Sequence, residues 1–142
     1  MAAATIQEWF DINNVFIRYA TSLDAGDVEA VVDCFTVDAS LSSPVLGVFR
    51  GHEGIRDFAE RTACLKREEG VQFRHVVSNL VVDVTGDTAR ATCYLLDFRT
   101  RDGKTQLLSP GEYSCTLRKT DGRWRFERRD VAMDQRFSTK DL

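Results

Sequence analysis

At Val71 the spacing of apolar side chains changes from the period of a helix to the period of a strand, and strands follow one another from there to about Gln135. Val71, Phe73, His75, Val77, Asn79 and Val81 fall on one face of an extended segment, and Ala89, Ala91, Cys93, Leu95 and Asp97 on one face of the next. Gly86-Asp87, Asp102-Gly103 and Asp121-Gly122 punctuate these runs, and Asp-Gly pairs suit the two-residue loops of β-hairpins. The pattern predicts long antiparallel strands. The second runs over Thr88–Arg101, the third from about Thr105 to Lys119 with an interruption near Pro110-Gly111, and the last over Arg123–Gln135.

The first half reads differently. Ile6, Phe10, Phe16, Ile17, Ala20 and Leu23 recur at roughly helical spacing, and Ala25-Gly26 stops that helix. Asp27 is placed to cap a second helix, in which Val28, Val31, Val32 and Phe35 form an i, i+3, i+4, i+7 stripe. One or two short strands follow over Ala39–Phe49, broken at Pro44 and Gly47. A third helix starts after Gly51, buries Ile55, Phe58, Ala59, Thr62 and Leu65, and ends at Gly70. Helices first and a hairpin meander second predict an α+β layer architecture, with three N-terminal helices on one face of an antiparallel sheet.

With 142 residues and no linker or repeat, residues 1–142 are expected to form a single domain. A net charge of −3 argues against nucleic-acid binding, because a phosphate-binding face shows as a basic excess. The arginines and Lys119 between Arg118 and Arg129 alternate with acids, as on a solvated sheet face. Residues Met1–Phe10 lack a basic region followed by an apolar run, so neither a signal peptide nor membrane attachment is expected, and a cytoplasmic location is. The four cysteines are widely spaced, as suits buried free thiols. Two distant histidines do not suit a side-chain zinc site. A Gly-x-Ser-x-Gly elbow and a glycine-rich phosphate loop are both absent.

Five residues stand out chemically. His75 sits between Phe73 and Val77 on an inward face, where a histidine is either a satisfied core residue or a general base near neutral pH. Asp24 stands at a helix C-terminus, where the dipole disfavours a carboxylate; it is either a turn residue before Gly26 or has a cationic partner. Tyr19 precedes it by five positions, about 140° around an ideal helix, and is either core or cavity mouth. Asp97 interrupts an apolar face, and a buried carboxylate needs a partner. Arg129 shares a strand parity with Arg125, Glu127 and Val131, which makes it a solvated sheet residue or a site residue.

The layout resembles a known family. Ile17-Arg18-Tyr19-Ala20, Leu23-Asp24-Ala25-Gly26-Asp27 and Cys34-Phe35-Thr36-Val37-Asp38-Ala39 resemble the opening of SnoaL-like domains of the nuclear transport factor 2-like superfamily. Gly51-His52-Glu53-Gly54-Ile55 resembles that family's third-helix start, and Arg74-His75-Val76-Val77-Ser78-Asn79 its R-H-x-x-x-N strand. The resemblance runs from about Ile6 to Met133. It implies a strongly curved sheet that forms a cone with an apolar pocket.

The family includes scytalone dehydratase, bile acid dehydratase, polyketide cyclases, ketosteroid isomerase and dioxygenase β-subunits. Its dehydratases imply Asp24 and His75 as a catalytic pair with Tyr19 beside them, and Asp97 and Arg129 as further polar pocket groups. Phe16, Phe35, Leu46, Phe58, Phe73 and Met133 are expected to shape the substrate pocket. The implied activity is a dehydratase-type elimination or a proton-transfer isomerisation of a cyclic, largely apolar small molecule, with no metal or organic cofactor. A ligand-binding domain, a dioxygenase β-subunit-like structural protein and a polyketide-type cyclase are the alternatives. A homo-oligomer, dimer or trimer, is expected.

Overall fold

The computed structural model describes residues 1–142. Helix α1 spans Ile6–Ala25. Thr5 caps it, and Glu8 returns a bond to the Thr5 backbone N–H to close a capping box. Gly26, at φ 76°, ends it in the left-handed region that glycine tolerates best. Asp27 accepts from the Ala30 N–H and starts helix α2, Val28–Asp33. Helix α3 covers Gly51–Glu69 and stops at Gly70.

The strands are β1 (Ala2–Ala3), β2 (Phe35–Ser43), β3 (Gly47–Arg50), β4 (Gln72–Thr85), β5 (Thr88–Arg101), β6 (Lys104–Thr120) and β7 (Arg123–Met133). They form one sheet in the order β1-β4-β5-β6-β7-β2-β3, antiparallel except where β2 runs parallel to β7. The sheet is long and curled without closing, and the three helices pack on it. The expected α+β class is what the chain adopts.

The hairpin loops follow their sequences. Asp102 and Gly103 have φ of 51° and 73°, and Asp121 and Gly122 have 52° and 75°. Positive φ at both central residues is what the type I′ turn demands, and its twist suits the flanking strands. On β5 the strict alternation holds from Thr88 to Asp97, burying Ala89, Ala91, Cys93, Leu95 and Asp97.

Three bulges change the face on which later residues lie. On β4 the pairing shifts between Ser78 and Val81, with Asn79 at φ 57°. Val82 and Val84 therefore point inward while Val81 is exposed, so the expected single face from Val71 to Val81 ends at Val77. On β6 the expected interruption at Pro110-Gly111 does not occur. Pro110 pairs with Leu96 and Gly111 with Leu95, and the irregularity lies at Leu108. On β7 two residues, Phe126 and Arg128, pair with Leu117 and Thr116, leaving Glu127 as the extra residue. That bulge puts Arg129 on the buried face with Phe126.

Gly111 is needed for space. A Cβ there would lie 2.5 Å from the Ala132 carbonyl oxygen and 3.0 Å from the Met133 sulfur. Backbone of a paired strand cannot yield easily, so Gly111→Ala should lower stability by roughly 1–3 kcal/mol, read as a fall in the urea midpoint. An unchanged midpoint would show that β6 and β7 are looser here than their pairing implies.

Candidate active site

The core between helices and sheet is aromatic. Phe16 meets Phe126 edge-on at 5.0 Å, and Phe35 lies 5.3 Å from Phe126. Toward one end of the sheet this core opens into a cavity. Leu23, Phe58, Leu65, Phe73, Leu95 and Met133 form much of its apolar wall, and Tyr19, His75, Asp97 and Tyr113, with Arg61, Ser43 and Thr62, supply its polar groups.

Asp24 reaches from the last turn of α1 to β4. Its Oδ1 lies 2.5 Å from His75 Nδ1, and its Oδ2 accepts the His75 backbone N–H at 2.9 Å. The Asp24 carbonyl accepts from Gln72 Nε2 at 2.9 Å, which ties the helix end to the same strand. One carboxylate thus grips both the ring and the backbone of one residue. A carboxylate on Nδ1 selects the tautomer with its proton there and leaves the Nε2 lone pair free. Nε2 faces Asp97, whose Oδ1 is 3.5 Å away. That Asp97 oxygen is buried without a hydrogen-bond partner.

Opposing effects set the ionisation of this trio. Burial pushes the His75 imidazole down, but the Asp24 hydrogen bond and the charges of Asp97 and Asp24 outweigh it, so His75 titrates above its ordinary value. Asp97 is raised, because burial and the Asp24 charge oppose its ionisation more than His75 assists it. A basic imidazole and a reluctant carboxylate within 3.5 Å of each other form an acid–base couple. Burial pushes the thiols of Cys34, Cys93 and Cys115 up to about 11, so none of these three core thiols is a thiolate nucleophile at neutral pH.

Not every expected pocket residue lies on the cavity wall. Phe58, Phe73, Met133, Leu46 and Asp97 do. Phe16 and Phe35 do not, since both are packed into the aromatic core behind Tyr19. Arg129 is neither a solvated sheet residue nor a wall residue, because the β7 bulge turns it into the core, where it is fully buried. Its guanidinium carbon lies 3.6 Å from the Tyr113 ring centre, 4.1 Å from Tyr19, 4.5 Å from Phe126 and 5.1 Å from Phe16. Nη1 is 3.7 Å from the Cys115 sulfur, and Nε and Nη2 have no partner. Burying a lone cation costs several kcal/mol. Desolvated cation–π contacts contribute about 2 kcal/mol each at best, so four rings offset a comparable amount without any carboxylate.

The SnoaL-like domain family matches residues 5–130. The chain belongs to the SnoaL-like domain family. Solved structures agree with that assignment. A variant of Rv3472, a protein of unknown function from Mycobacterium tuberculosis, is 27% identical, with 93% of this chain and 79% of that one covered at a TM-score of 0.84. An NTF2-like protein with a cystatin-like fold from Novosphingobium aromaticivorans is 25% identical over 92% and 84% of the two chains, at 0.81. A second Novosphingobium aromaticivorans protein, provisionally described as a scytalone dehydratase, is 21% identical over 92% and 86%, at 0.79, and shows the shared fold alone. No curated protein matches the chain. No helix is long and apolar enough to cross a membrane.

In this SnoaL-like domain, Asp24 and Asp97 flank His75, and Tyr19 lines the same cavity as His75 and Asp97. Tyr113 was missed. Its parity on β6 matches buried Cys115 and Leu117, which could have marked it as inward-facing, but a lone inward tyrosine is ordinary core. Ser43, Arg61 and Thr62 also line the cavity without an earlier signal.

Proposed function

We propose that this domain is a cofactor-independent lyase or isomerase that moves a proton on a cyclic, largely apolar small molecule. The observation that carries this reading is the chain of contacts Asp24–His75–Asp97, with a 2.5 Å bond on one side of the imidazole and a 3.5 Å gap on the other, at the polar end of an apolar cavity. His75 Nε2 takes a proton from a carbon next to a carbonyl. The C–H electron pair becomes the new C=C bond of an enolate. Asp24 holds the imidazolium that results, and Tyr19 donates to the carbonyl oxygen, where charge develops. The proton that Nε2 has gained is then given to a departing β-hydroxyl, which leaves as water while the enolate electrons form the new C=C bond, and His75 is neutral again. Asp97, 3.5 Å from Nε2, stabilises the imidazolium between the two transfers. Without a leaving group, His75 returns the proton to a different carbon, and the outcome is isomerisation.

A panel of cyclic β-hydroxy-ketones and β,γ-unsaturated ketones tests this. Turnover should rise with pH through the His75 titration, since only the neutral imidazole is a base. The same titration read by NMR should fall to lower pH in Asp24→Asn, with His52 as the internal control. A His75 titration indifferent to Asp24, or saturable binding of the whole panel without turnover, would leave the domain as a binder of small apolar ligands.

A further inference from the structure

Arg129 is the one charged side chain in the core that no carboxylate answers. It is fully buried, it makes none of the protein's ion pairs, and two of its three nitrogens lack partners. It is not on the cavity wall, yet the two rings closest to it, Tyr113 and Tyr19, both are. Those rings stand edge to face, 6.3 Å apart at 86°. Neither hydroxyl is tied to a carbonyl or a carboxylate, and neither is among the sealed, unpartnered polar atoms of the core. The two phenols therefore separate a permanent positive charge from the cavity and offer their O–H groups to what occupies it.

The physical consequence is directional. A guanidinium against the face of a phenol ring draws electron density from it and makes the O–H a stronger donor. Burial raises both tyrosines well above the ordinary range, so they remain protonated donors, and Arg129 acts against that rise. Asp24 and Asp97 flank His75, and the charge of Asp97 also reaches both phenols and, like burial, keeps them protonated. No carboxylate reaches the arginine itself through the two rings. An oxygen that carries or gains negative charge would answer that cation.

We infer that Tyr113 joins Tyr19 as a second hydroxyl donor to a substrate oxyanion, with Arg129 as the positioning residue behind both rings, so that the site selects molecules ionising to an enolate or phenolate. This rests on the proposed proton-transfer reading and names the oxygen chemistry of its substrate. Tyr113 touches the ligand in this arrangement, whereas Arg129 acts through the phenols.

The test is equilibrium binding of 4-nitrophenolate and its neutral isostere nitrobenzene at pH 8.5. The wild-type protein should prefer the anion. Tyr113→Phe keeps the ring and the packing, and should bind 4-nitrophenolate about tenfold more weakly, roughly 1.4 kcal/mol, with less than a twofold change for nitrobenzene. Arg129→Met should lose a similar share of that preference, a change in selectivity that a purely structural role would not produce. If Arg129→Met does not fold, Tyr113→Phe decides the matter alone. Equal weakening of both ligands in Tyr113→Phe, no weakening of either, or a wild type that binds neither or prefers nitrobenzene overturns the inference. The proton-transfer reading fails separately. If His75→Ala leaves turnover unchanged while Tyr113→Phe still loses the anion, the base is wrong and the oxyanion pair stands.

Discussion

His75→Ala is expected to lose stability, because it removes one partner of the buried Asp24–His75 pair, and as folded protein to turn over a cyclic β-hydroxy-ketone about 10²–10⁴-fold more slowly than the wild type, the range typical of a positioned general base. The residue lines the cavity, so its loss removes the proton acceptor without opening the aromatic core. It also leaves the Asp24 carboxylate with a backbone N–H as its sole partner from residue 75. The loss should fall on kcat rather than on KM, because a base acts in the transition state and contributes little to ground-state binding. Asp24→Asn should lie between the two. It can still accept the His75 backbone N–H, but it neither stabilises the imidazolium nor favours the productive tautomer. A kcat unchanged in His75→Ala would remove the imidazole from the chemistry.

Asp24→Ala is expected to cost about 3–5 kcal/mol of stability, the usual penalty for removing one partner of a buried pair. Part of this is independent of pH. The His75 backbone N–H is left without its acceptor, worth roughly 1–3 kcal/mol when buried. The rest follows the imidazole. His75 titrates higher in the folded protein than its unfolded value of about 6.5. A raised pKa in the folded state means that the folded protein binds the proton more tightly. Its stabilising contribution is complete below about pH 6 and is lost as pH rises through the folded value. The gap between wild type and Asp24→Asn, which keeps the backbone bond, should therefore be widest near pH 5.5 and shrink toward pH 8.5. Urea unfolding at the two pH values measures it. A gap that stays constant or widens would mean that His75 is not charged in the folded state, and that the 2.5 Å contact is a neutral hydrogen bond.

Pocket residues separate cleanly by how their positions were inferred. Asp24 and His75 lie 51 residues apart, and each has an ordinary local reading, as a turn residue and as a core histidine. Neither propensity nor periodicity brings them together. The match of both to one family pattern did, because a fold held in common places equivalent positions side by side. Arg129 shows the opposite case. Its parity on β7 put it with Arg125 and Glu127, and the counting was correct up to Glu127. One extra residue there reversed the face of everything after it, and a slip of one in a period of two is a complete inversion. Phe16 and Phe35 were expected on the cavity wall because they are large and apolar. Size and polarity do not distinguish a wall from the packing one layer behind it.

What the sequence determined by itself was the local grammar: three helices, with Asp27 capping the second and Gly26 and Gly70 stopping the first and third, hairpin loops at Asp-Gly pairs, the alternation of β5 as far as Asp97 and the order of helices before strands. These rest on backbone conformations and side-chain periods that each short segment carries within it. Tertiary structure decided where β4, β6 and β7 bulge, which aromatic rings face a cavity and which close around a cation, and that Asp97 approaches the free nitrogen of His75. Those outcomes depend on the curvature of a seven-stranded sheet and on packing between residues dozens of positions apart, where the free energy belongs to the assembled layers and to no single segment.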